Sequence, residues 1–272
     1  MRSRRGPAIA VVMMMAVFGL FAAGPGPSMT GPWGAQAAAP ATSRGLTALD
    51  AAARSGKYLF VFFWKADDEQ TRTMYGVFQS AMAKWADSTD SIGILITDPR
   101  EKAMADKFGV RRAPMPLVVA IAPNGAITKG FPVQFDENQL QTAFVSPCAA
   151  KCLKALQDRK LVLLCVQNQR TEFTQAAIGA AQSFKADRRY AQATEIVTLN
   201  PDHPAEIRLL DELQVNPRTP EAVTVLLAPP GQPVAKFAGA VTKDEIVAKV
   251  ASAQSGCCPG GKCGPGGCGP SK

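Results

Sequence analysis

The feature that most constrains this chain is an order of predicted elements that occurs twice. In each copy a buried strand is followed by a long helix, a second strand, a short helix and a strand that turns back at a glycine. The turns share the pattern A-x-x-G, with Ala122 and Gly125 in the first copy and Ala228 and Gly231 in the second. These glycines are 106 residues apart, so the sequence predicts a duplicated domain.

The elements of the first copy are predicted from its apolar runs. Residues 57–64 read KYLFVFFW, which is typical of a strand buried on both faces, and acidic residues follow where a helix begins. We expect that helix over 69–85. The remaining predicted elements are a strand over 92–97, a short helix over 100–108, a hairpin that turns at 123–125 and a closing helix over 137–145.

The second copy repeats this order. Its predicted elements are a strand over 160–167, a helix over 171–185, a strand over 194–199, a helix over 205–213, a proline-marked hairpin and a last helix over 243–253. Strands that alternate with helices require a mainly parallel sheet covered on both faces, and each hairpin adds an antiparallel edge. The predicted fold class is therefore α/β, with two tandem domains and a disordered C-terminal tail rich in cysteine and glycine.

The segments FVFFW and GVRRAPMPLVVAIAPNGAI resemble the thioredoxin superfamily. The first matches the strand and tryptophan that precede the family's active-site turn, and the second is similar to the stretch that bears the family's cis-proline. That proline would be Pro116, nine residues before Gly125. The resemblance implies two thioredoxin-like domains of about 100 residues each and a cis Met115–Pro116 bond. In the second copy the same offset falls on Ala222.

The resemblance also implies where redox chemistry would lie. The family uses two cysteines, separated by two residues, at the start of the first long helix, where free N–H groups and the helix dipole stabilise a thiolate. Asp68 and Thr71 stand at about these positions in the first copy, and residues 167–171 of the second copy read QNQRT. Both turns are therefore degenerate for thiol–disulfide exchange. We interpret the acidic residues 67–69 as helix caps.

Three cysteines precede the tail. Cys148 and Cys152 are four residues apart at the start of a predicted helix, so both thiols share one face. In an exported protein such a pair forms a structural disulfide, or it exchanges disulfides with clients. Cys165 lies inside a predicted strand and is interpreted as a small buried hydrophobe.

The tail GCCPGGKCGPGGCGPSK holds the other four cysteines, Cys257, Cys258, Cys263 and Cys268. Glycine and proline prevent a regular helix and leave a chain that can wrap its thiolates around a small soft ion. Four thiolates suit Cu(I) or Zn(II), so we predict a copper or zinc site here. Two disulfides, or an attachment role without bound metal, are the alternatives that the sequence leaves open.

The N-terminus has the pattern of a secretory signal. Three arginines within the first five residues precede an apolar stretch over 8–23, and the small residues of a cleavage site occupy 35–37. We predict a periplasmic or secreted protein, with membrane contact only through an uncleaved signal segment. The predicted organisation is a signal peptide over 1–37, a linker over 38–44, domains over 45–146 and 147–254, and the tail over 255–272.

Charge and residue types narrow the possible functions. The formal net charge is +8, and removal of the three signal-segment arginines leaves +5. The basic residues are scattered and are not interleaved with exposed aromatics, so nucleic-acid binding is not expected. The single histidine, His203, stands in a predicted loop, and no serine lies in a G-x-S-x-G turn. The sequence therefore gives no support to a hydrolase triad.

Two hypotheses of function follow. The first is an exported thioredoxin-domain protein that binds or scaffolds without catalysis and whose tail captures a soft metal ion or thiol partners. It assigns no catalytic or cofactor-binding residue, and its expected partners are protein clients or the metal ion. The alternative is an atypical thiol–disulfide oxidoreductase that uses Cys148 and Cys152, or the tail cysteines. The missing cysteine pair after Trp64 favours the first hypothesis.

Overall fold

The computed structural model describes residues 43–255. The predicted signal peptide over 1–37 and the four predicted metal ligands, Cys257, Cys258, Cys263 and Cys268, lie outside the described residues. Among the described helices, none combines the length and the apolar character needed to cross a bilayer.

Each of two successive segments forms a four-stranded sheet flanked by helices. The first segment contains α1 (Arg44–Ser55), β1 (Tyr58–Trp64), α2 (Glu69–Lys84), β2 (Thr89–Leu95), α3 (Lys102–Lys107), β3 (Leu117–Ile121), β4 (Ile127–Pro132) and α4 (Glu137–Gln141). The second contains α5 (Pro147–Gln157), β5 (Leu161–Val166), α6 (Thr174–Ala186), β6 (Thr194–Leu199), α7 (Ile207–Glu212), β7 (Val223–Ala228), β8 (Gln232–Ala238) and α8 (Lys243–Ser255).

The two sheets have the same topology. Their strand orders are β2-β1-β3-β4 and β6-β5-β7-β8. In each sheet the first two strands along the chain pair in parallel, and the hairpin adds two antiparallel pairings. The expectation of a mainly parallel sheet is therefore wrong, because the third strand pairs antiparallel with the central strand. The chain therefore contains two tandem thioredoxin-like domains with mixed sheets, and the predicted duplication is correct at the level of topology.

The central strand of the first domain is buried on both faces because its side chains alternate between two cores. Leu59, Val61 and Phe63 pack on the side of α1 and α3. Phe60 and Phe62 pack on the side of α2 and α4. This arrangement explains why KYLFVFFW is a continuous apolar run rather than an alternating one.

The central strand of the second domain follows the same rule. Val162, Leu164 and Val166 pack on the side of α5 and α7. Leu163 and Cys165 pack on the side of α6 and α8, and Cys165 is 1% exposed. The interpretation of Cys165 as a buried hydrophobe is therefore confirmed.

Four elements differ from the prediction. Helix α1 was not predicted, although Ser43 caps its start, Leu46 and Leu49 pack against the core and Gly56 ends it in the left-handed conformation. Helix α4 ends at Gln141, four residues before the expected end at residue 145. Strand β2 begins three residues earlier than expected, because its polar start at Thr89 pairs with Tyr58 of β1. Helix α6 begins three residues later than expected, because Phe173 before it has a left-handed φ of 58°.

Helix α5 joins the two domains. The side-chain amide of Gln157 pairs with the backbone of Ile127 in β4, donating to its carbonyl at 2.6 Å and accepting from its N–H at 2.9 Å. Asn124 donates to the carbonyl of Ala150 at 2.8 Å. The second domain is therefore fixed to the hairpin edge of the first through its first helix.

Candidate functional site

The first candidate site is the edge of domain 1 where β1 ends and α2 begins. Asp68 caps α2, and its carboxylate accepts a hydrogen bond from the N–H of Thr71 at 2.8 Å. Hydrogen bonds from the backbone and the hydroxyl of Thr71 lower the pKa of Asp68 below its ordinary value. An ionised carboxylate therefore occupies the helix start where the family carries a thiol, and the interpretation of Asp68 as a cap is confirmed.

The proline loop lies beside this helix start in the fold. The Met115–Pro116 peptide bond is cis, the conformation that the thioredoxin resemblance implies there. The carbonyl of Pro116 accepts from the N–H of Val133 at 2.7 Å, and Gln70 of α2 donates to the carbonyl of Val133 at 3.3 Å. Val133 has a φ of 67°, which is rare for a β-branched residue. A strained backbone position therefore links the proline loop to α2.

A groove of about 510 Å³ opens next to this edge. It is lined by three aromatic rings, those of Phe62, Trp64 and Tyr75. Its charged lining is paired: Arg72 forms an ion pair with Asp67 at 3.8 Å, and Arg44 forms one with Glu101 at 3.5 Å. Its outer wall is β2, which is the terminal strand of the sheet within the described residues. The groove therefore combines aromatic surface and an unpaired strand edge.

The corresponding edge of domain 2 is built differently. Asp68 caps α2 four residues after Trp64, whereas Phe173 precedes α6 six residues after Gln167, so the second loop is longer. Asn168 caps this loop by accepting hydrogen bonds from two backbone N–H groups at 2.8 and 3.1 Å.

The longer loop of domain 2 pairs with the start of β7. The N–H of Glu172 donates to the carbonyl of Pro220 at 2.8 Å, and the N–H of Ala222 donates to the carbonyl of Glu172 at 2.9 Å. By strand register Ala222 matches Pro116, because Val223 and Leu117 occupy equivalent positions. Proline has no N–H and cannot make this pair. Among the residues that the structure describes, no hydrogen bond joins the 65–68 loop to the proline loop of domain 1.

Domain 2 also lacks a cis bond at this edge. Besides Met115–Pro116, the described residues contain one other cis bond, between Pro229 and Pro230 in the turn from β7 to β8. Ala222 therefore matches Pro116 by register, as the offset from Gly231 predicts, and the bond before Ala222 is not cis.

The three described cysteines are free thiols and lie away from both helix starts that the family uses. Burial, with a smaller contribution from Glu206, raises the pKa of Cys148 to about 11. Burial raises the pKa of Cys152 to about 12 and that of Cys165 to about 11. All three are protonated near neutral pH, so the environment makes them poor nucleophiles.

Cys148 and Cys152 lie together on one face of α5, as their spacing predicts. That face packs on the core of domain 2 that lies between the sheet and helices α5 and α7. Cys148 donates from its thiol to the carbonyl of Thr198 at 3.4 Å. Cys165 lies in the other core of the same domain, and Pro116 lies in domain 1. The structure therefore does not bring the predicted cysteines and the proline loop into one site.

Two buried glutamates at equivalent positions of the two domains, Glu101 and Glu206, were not predicted as a pair. Glu101 is 1% exposed and accepts from the hydroxyl of Ser43 at 2.6 Å, which caps α1. Glu206 is 4% exposed and accepts from the hydroxyl of Ser146 at 2.5 Å, which caps α5. The pattern P-x-E, with its glutamates 105 residues apart, is the sequence signal that identifies this pair.

Metal binding has no support from the described part of the chain. No group of three or more His, Cys, Asp or Glu side chains within residues 43–255 is arranged to hold a metal ion. His203 caps a short turn, and its Nδ1 accepts from the N–H of Ala205 at 3.3 Å. This agrees with the prediction that His203 is a loop residue.

Comparison with solved structures finds thioredoxins at low sequence identity. Thioredoxin O2 from Arabidopsis thaliana is 14% identical, with coverage of 38% of this chain and 85% of that chain and a TM-score of 0.31. The germline-specific thioredoxin Deadhead from Drosophila melanogaster is 17% identical, with coverage of 38% and 92% and a TM-score of 0.31. A disulphide isomerase from Xylella fastidiosa is 19% identical, with coverage of 36% and 77% and a TM-score of 0.29.

No protein-family model matches the sequence, and no curated protein is significantly similar to it. The thioredoxin-like assignment of both domains rests on their strand order and connections.

Proposed function

We propose that this protein is an exported, non-catalytic binding or scaffold protein whose cysteine-rich tail captures a soft metal ion or a thiol partner. The observation that carries the proposal is the absence of a thiol at the helix start of both thioredoxin-like edges. Asp68 and Thr71 occupy these positions in domain 1, and Asn168 and Thr171 occupy the capped loop of domain 2. None of these side chains can form or break a disulfide.

Domain 1 supports the binding role because its edge is open. The groove beside Trp64 and Tyr75 offers aromatic surface, and Tyr75 is 38% exposed. Strand β2 leaves one row of backbone groups without a strand partner in the described residues. An extended segment of a protein client can add to such a strand through backbone hydrogen bonds while its side chains enter the groove.

The environment of the two thiols of α5 argues against the oxidoreductase alternative. Cys152 is 3% exposed, and Cys148 is half-buried and donates its hydrogen to a backbone carbonyl. Disulfide exchange requires a thiolate that a client disulfide can reach. If reductase activity exists and disappears in Cys148→Ser while it survives the loss of the tail cysteines, the alternative replaces our proposal.

The tail is assigned to metal capture on its composition, four thiols among glycine and proline. After full reduction, the chain from Ala38 onward should bind about one Cu(I) or Zn(II) ion, and binding should weaken as pH falls because protons compete for the thiolates. A truncation that ends at Ser255 should bind none. Cys165→Ser in the full chain is the matched control and should keep the full stoichiometry, since Cys165 is buried.

Two results would overturn the tail assignment. If the truncation keeps the metal stoichiometry, the Cys148 and Cys152 pair becomes the candidate site. If neither form binds copper or zinc after reduction, the tail has another role. Both results leave the non-catalytic part of the proposal to be judged separately by disulfide-reduction assays.

A further inference from the structure

A second cavity lies between the two domains, away from both thioredoxin-like edges. Its volume is about 510 Å³, which is within the range of small-molecule sites, and junctions between domains commonly hold such sites. One wall is a stripe of α5 with the spacing of a single helix face. That stripe consists of Ala149, Cys152, Leu153 and Leu156.

The other walls are also mainly apolar. Leu209 and Leu213, in and just after α7, face the stripe of α5 across the cavity, and Leu227 closes one side. Domain 1 contributes Phe144 and Val145, which follow α4. The two helices of domain 2 therefore present apolar side chains to a space that neither of them fills.

Charged groups line the cavity together with these apolar walls. Lys129 donates to the hydroxyl of Thr142 at 2.8 Å, and Arg208 donates to the carbonyl of Thr142 at 3.5 Å. The two cations therefore converge on one residue. Arg208 also forms an ion pair with Glu212 at 3.0 Å. Within the described residues Lys129 has no ion pair, so the lining carries one uncompensated positive charge.

We propose that this cavity binds a single-chain amphiphile with an anionic head, of the class of fatty-acid carboxylates. The hydrocarbon chain would lie between α5 and α7, where apolar walls favour its transfer from water. The carboxylate would meet the ammonium group of Lys129. This assignment is independent of the proposed scaffold function, because no wall of the cavity belongs to a thioredoxin-like edge.

The charge pattern selects this class over other small molecules. A neutral hydrocarbon would gain no attraction from Lys129, and a cationic amphiphile would be repelled by it. The acidic side chain in the lining, Glu212, is already neutralised by Arg208. A polar metabolite would leave the leucine walls of α5 and α7 without apolar contact.

The test uses a fluorescent fatty acid, dansylundecanoate, and the chain from Ala38 onward, unfolded and refolded to remove bound lipid. We expect saturable binding of about one probe per chain, with a blue-shifted dansyl emission. Dodecanoate should displace the probe, and dodecyltrimethylammonium, which has a similar chain and the opposite charge, should not.

Two variants test the site itself. Lys129→Glu reverses the head-group charge and should weaken probe binding by about tenfold. Lys236→Glu is the matched control, because Lys236 lies on the equivalent hairpin strand of domain 2 and also donates a hydrogen bond, to the carbonyl of Gln214 at 3.3 Å. Probe binding should be unchanged in this variant. Ala149→Trp should fill the cavity and abolish binding.

The proposal is wrong if the refolded chain does not bind the probe, if dodecyltrimethylammonium competes as well as dodecanoate, or if Lys129→Glu and Lys236→Glu behave alike. Unchanged probe binding in a folded Ala149→Trp variant would also overturn it. Lys129 is exposed, so its variant should fold and can decide the question even if Ala149→Trp does not.

Discussion

The two thioredoxin-like edges of this chain have equivalent strand registers, but their backbone pairing differs. In domain 1 the proline loop at Met115 and Pro116 has no backbone pairing with the loop before α2 in the described residues. In domain 2 the matching segment at Pro220 and Ala222 pairs with Glu172 of the chain itself. The proline segment therefore holds the neighbouring loop in domain 2 and does not hold it in domain 1.

Two features decide whether this edge can pair with the loop before the helix. A proline at position 116 lacks the N–H that domain 2 uses at Ala222. The longer loop of domain 2 also supplies Glu172, whose backbone makes the pair.

The same comparison applies to the residue that follows β4 or β8. Val133 and Gly239 both have a positive φ, 67° and 74°, and each donates its N–H to the carbonyl at the end of the proline segment, at 2.7 and 2.8 Å. Glycine adopts this backbone without cost, whereas valine is strained there. Domain 1 therefore holds strain at the edge that we assign to binding.

The largest expected effect is that of Gly239→Val. The new Cβ would lie 2.8 Å from the carboxylate of Glu221 and 3.4 Å from the ring of Phe173, in a backbone region that valine disfavours. We expect a loss of about 3 kcal/mol in the free energy of unfolding, measured with urea. A loss below about 1 kcal/mol would show that the loop of domain 2 is not held tightly by its pairing.

The next largest effect on stability concerns the two buried glutamates, Glu101 and Glu206. Glu101→Gln should cost about 2 kcal/mol, because a carboxylate that accepts from Ser43 and from the N–H groups of Arg44 and Gly45 is replaced by an amide. Glu206→Gln provides the comparison in domain 2, where the contacts come from Ser146 and from the N–H of Cys148.

The hydrogen bonds to Glu101 also predict that the free energy of unfolding depends on pH. Burial alone would raise the pKa of Glu101, but hydrogen bonds from Ser43 and from two backbone N–H groups outweigh it and hold the pKa below its ordinary value. The stabilisation is therefore present above the unfolded pKa and is lost as pH falls through the folded pKa. Urea unfolding at a series of acidic pH values should show a steeper loss for the wild type than for Glu101→Gln. Parallel curves would contradict this role.

The smallest expected effect is a gain in stability, from Val133→Gly. Val133→Gly relieves the strained φ but increases the entropy of the unfolded chain, so we expect a net stabilisation of about 0.5–1 kcal/mol. Thermal unfolding should show a raised midpoint, with Val234→Gly, at a half-buried position of β8, as a control that lowers it. A destabilised Val133→Gly would show that contacts of the valine side chain outweigh the strain.

Much of the fold follows from local patterns in the sequence. Continuous apolar runs identified the central strands β1 and β5, because strands covered on both faces cannot alternate. The resemblance of the segment GVRRAPMPLVVAIAPNGAI to the thioredoxin superfamily located the cis-proline at Pro116. These features depend on neighbours along the chain, which a sequence pattern records.

Other features depend on contacts between distant segments and were not predictable. The pairing of Glu172 with Pro220 joins residues 48 positions apart, and nothing in QNQRTEF indicates it. The hydrogen bond from Ser43 to Glu101 joins residues 58 positions apart. The cavity between the domains needs the position of α5 on β4, which is set by the amide of Gln157 and the backbone of Ile127.

We propose that domain 1 keeps an open thioredoxin-like edge without thiol chemistry. The most direct measurement is the rate of insulin disulfide reduction with dithiothreitol. We predict no acceleration by the wild type and a gain of activity in the double variant Asp68→Cys and Thr71→Cys, because both thiols would stand at the start of α2 beside the proline loop. The matched double variant Asn168→Cys and Thr171→Cys should remain inactive, since its loop is paired with Pro220 and ends before α6 begins. Activity of the wild type that vanishes in Cys148→Ser, or equal activity of the two double variants, would contradict the account.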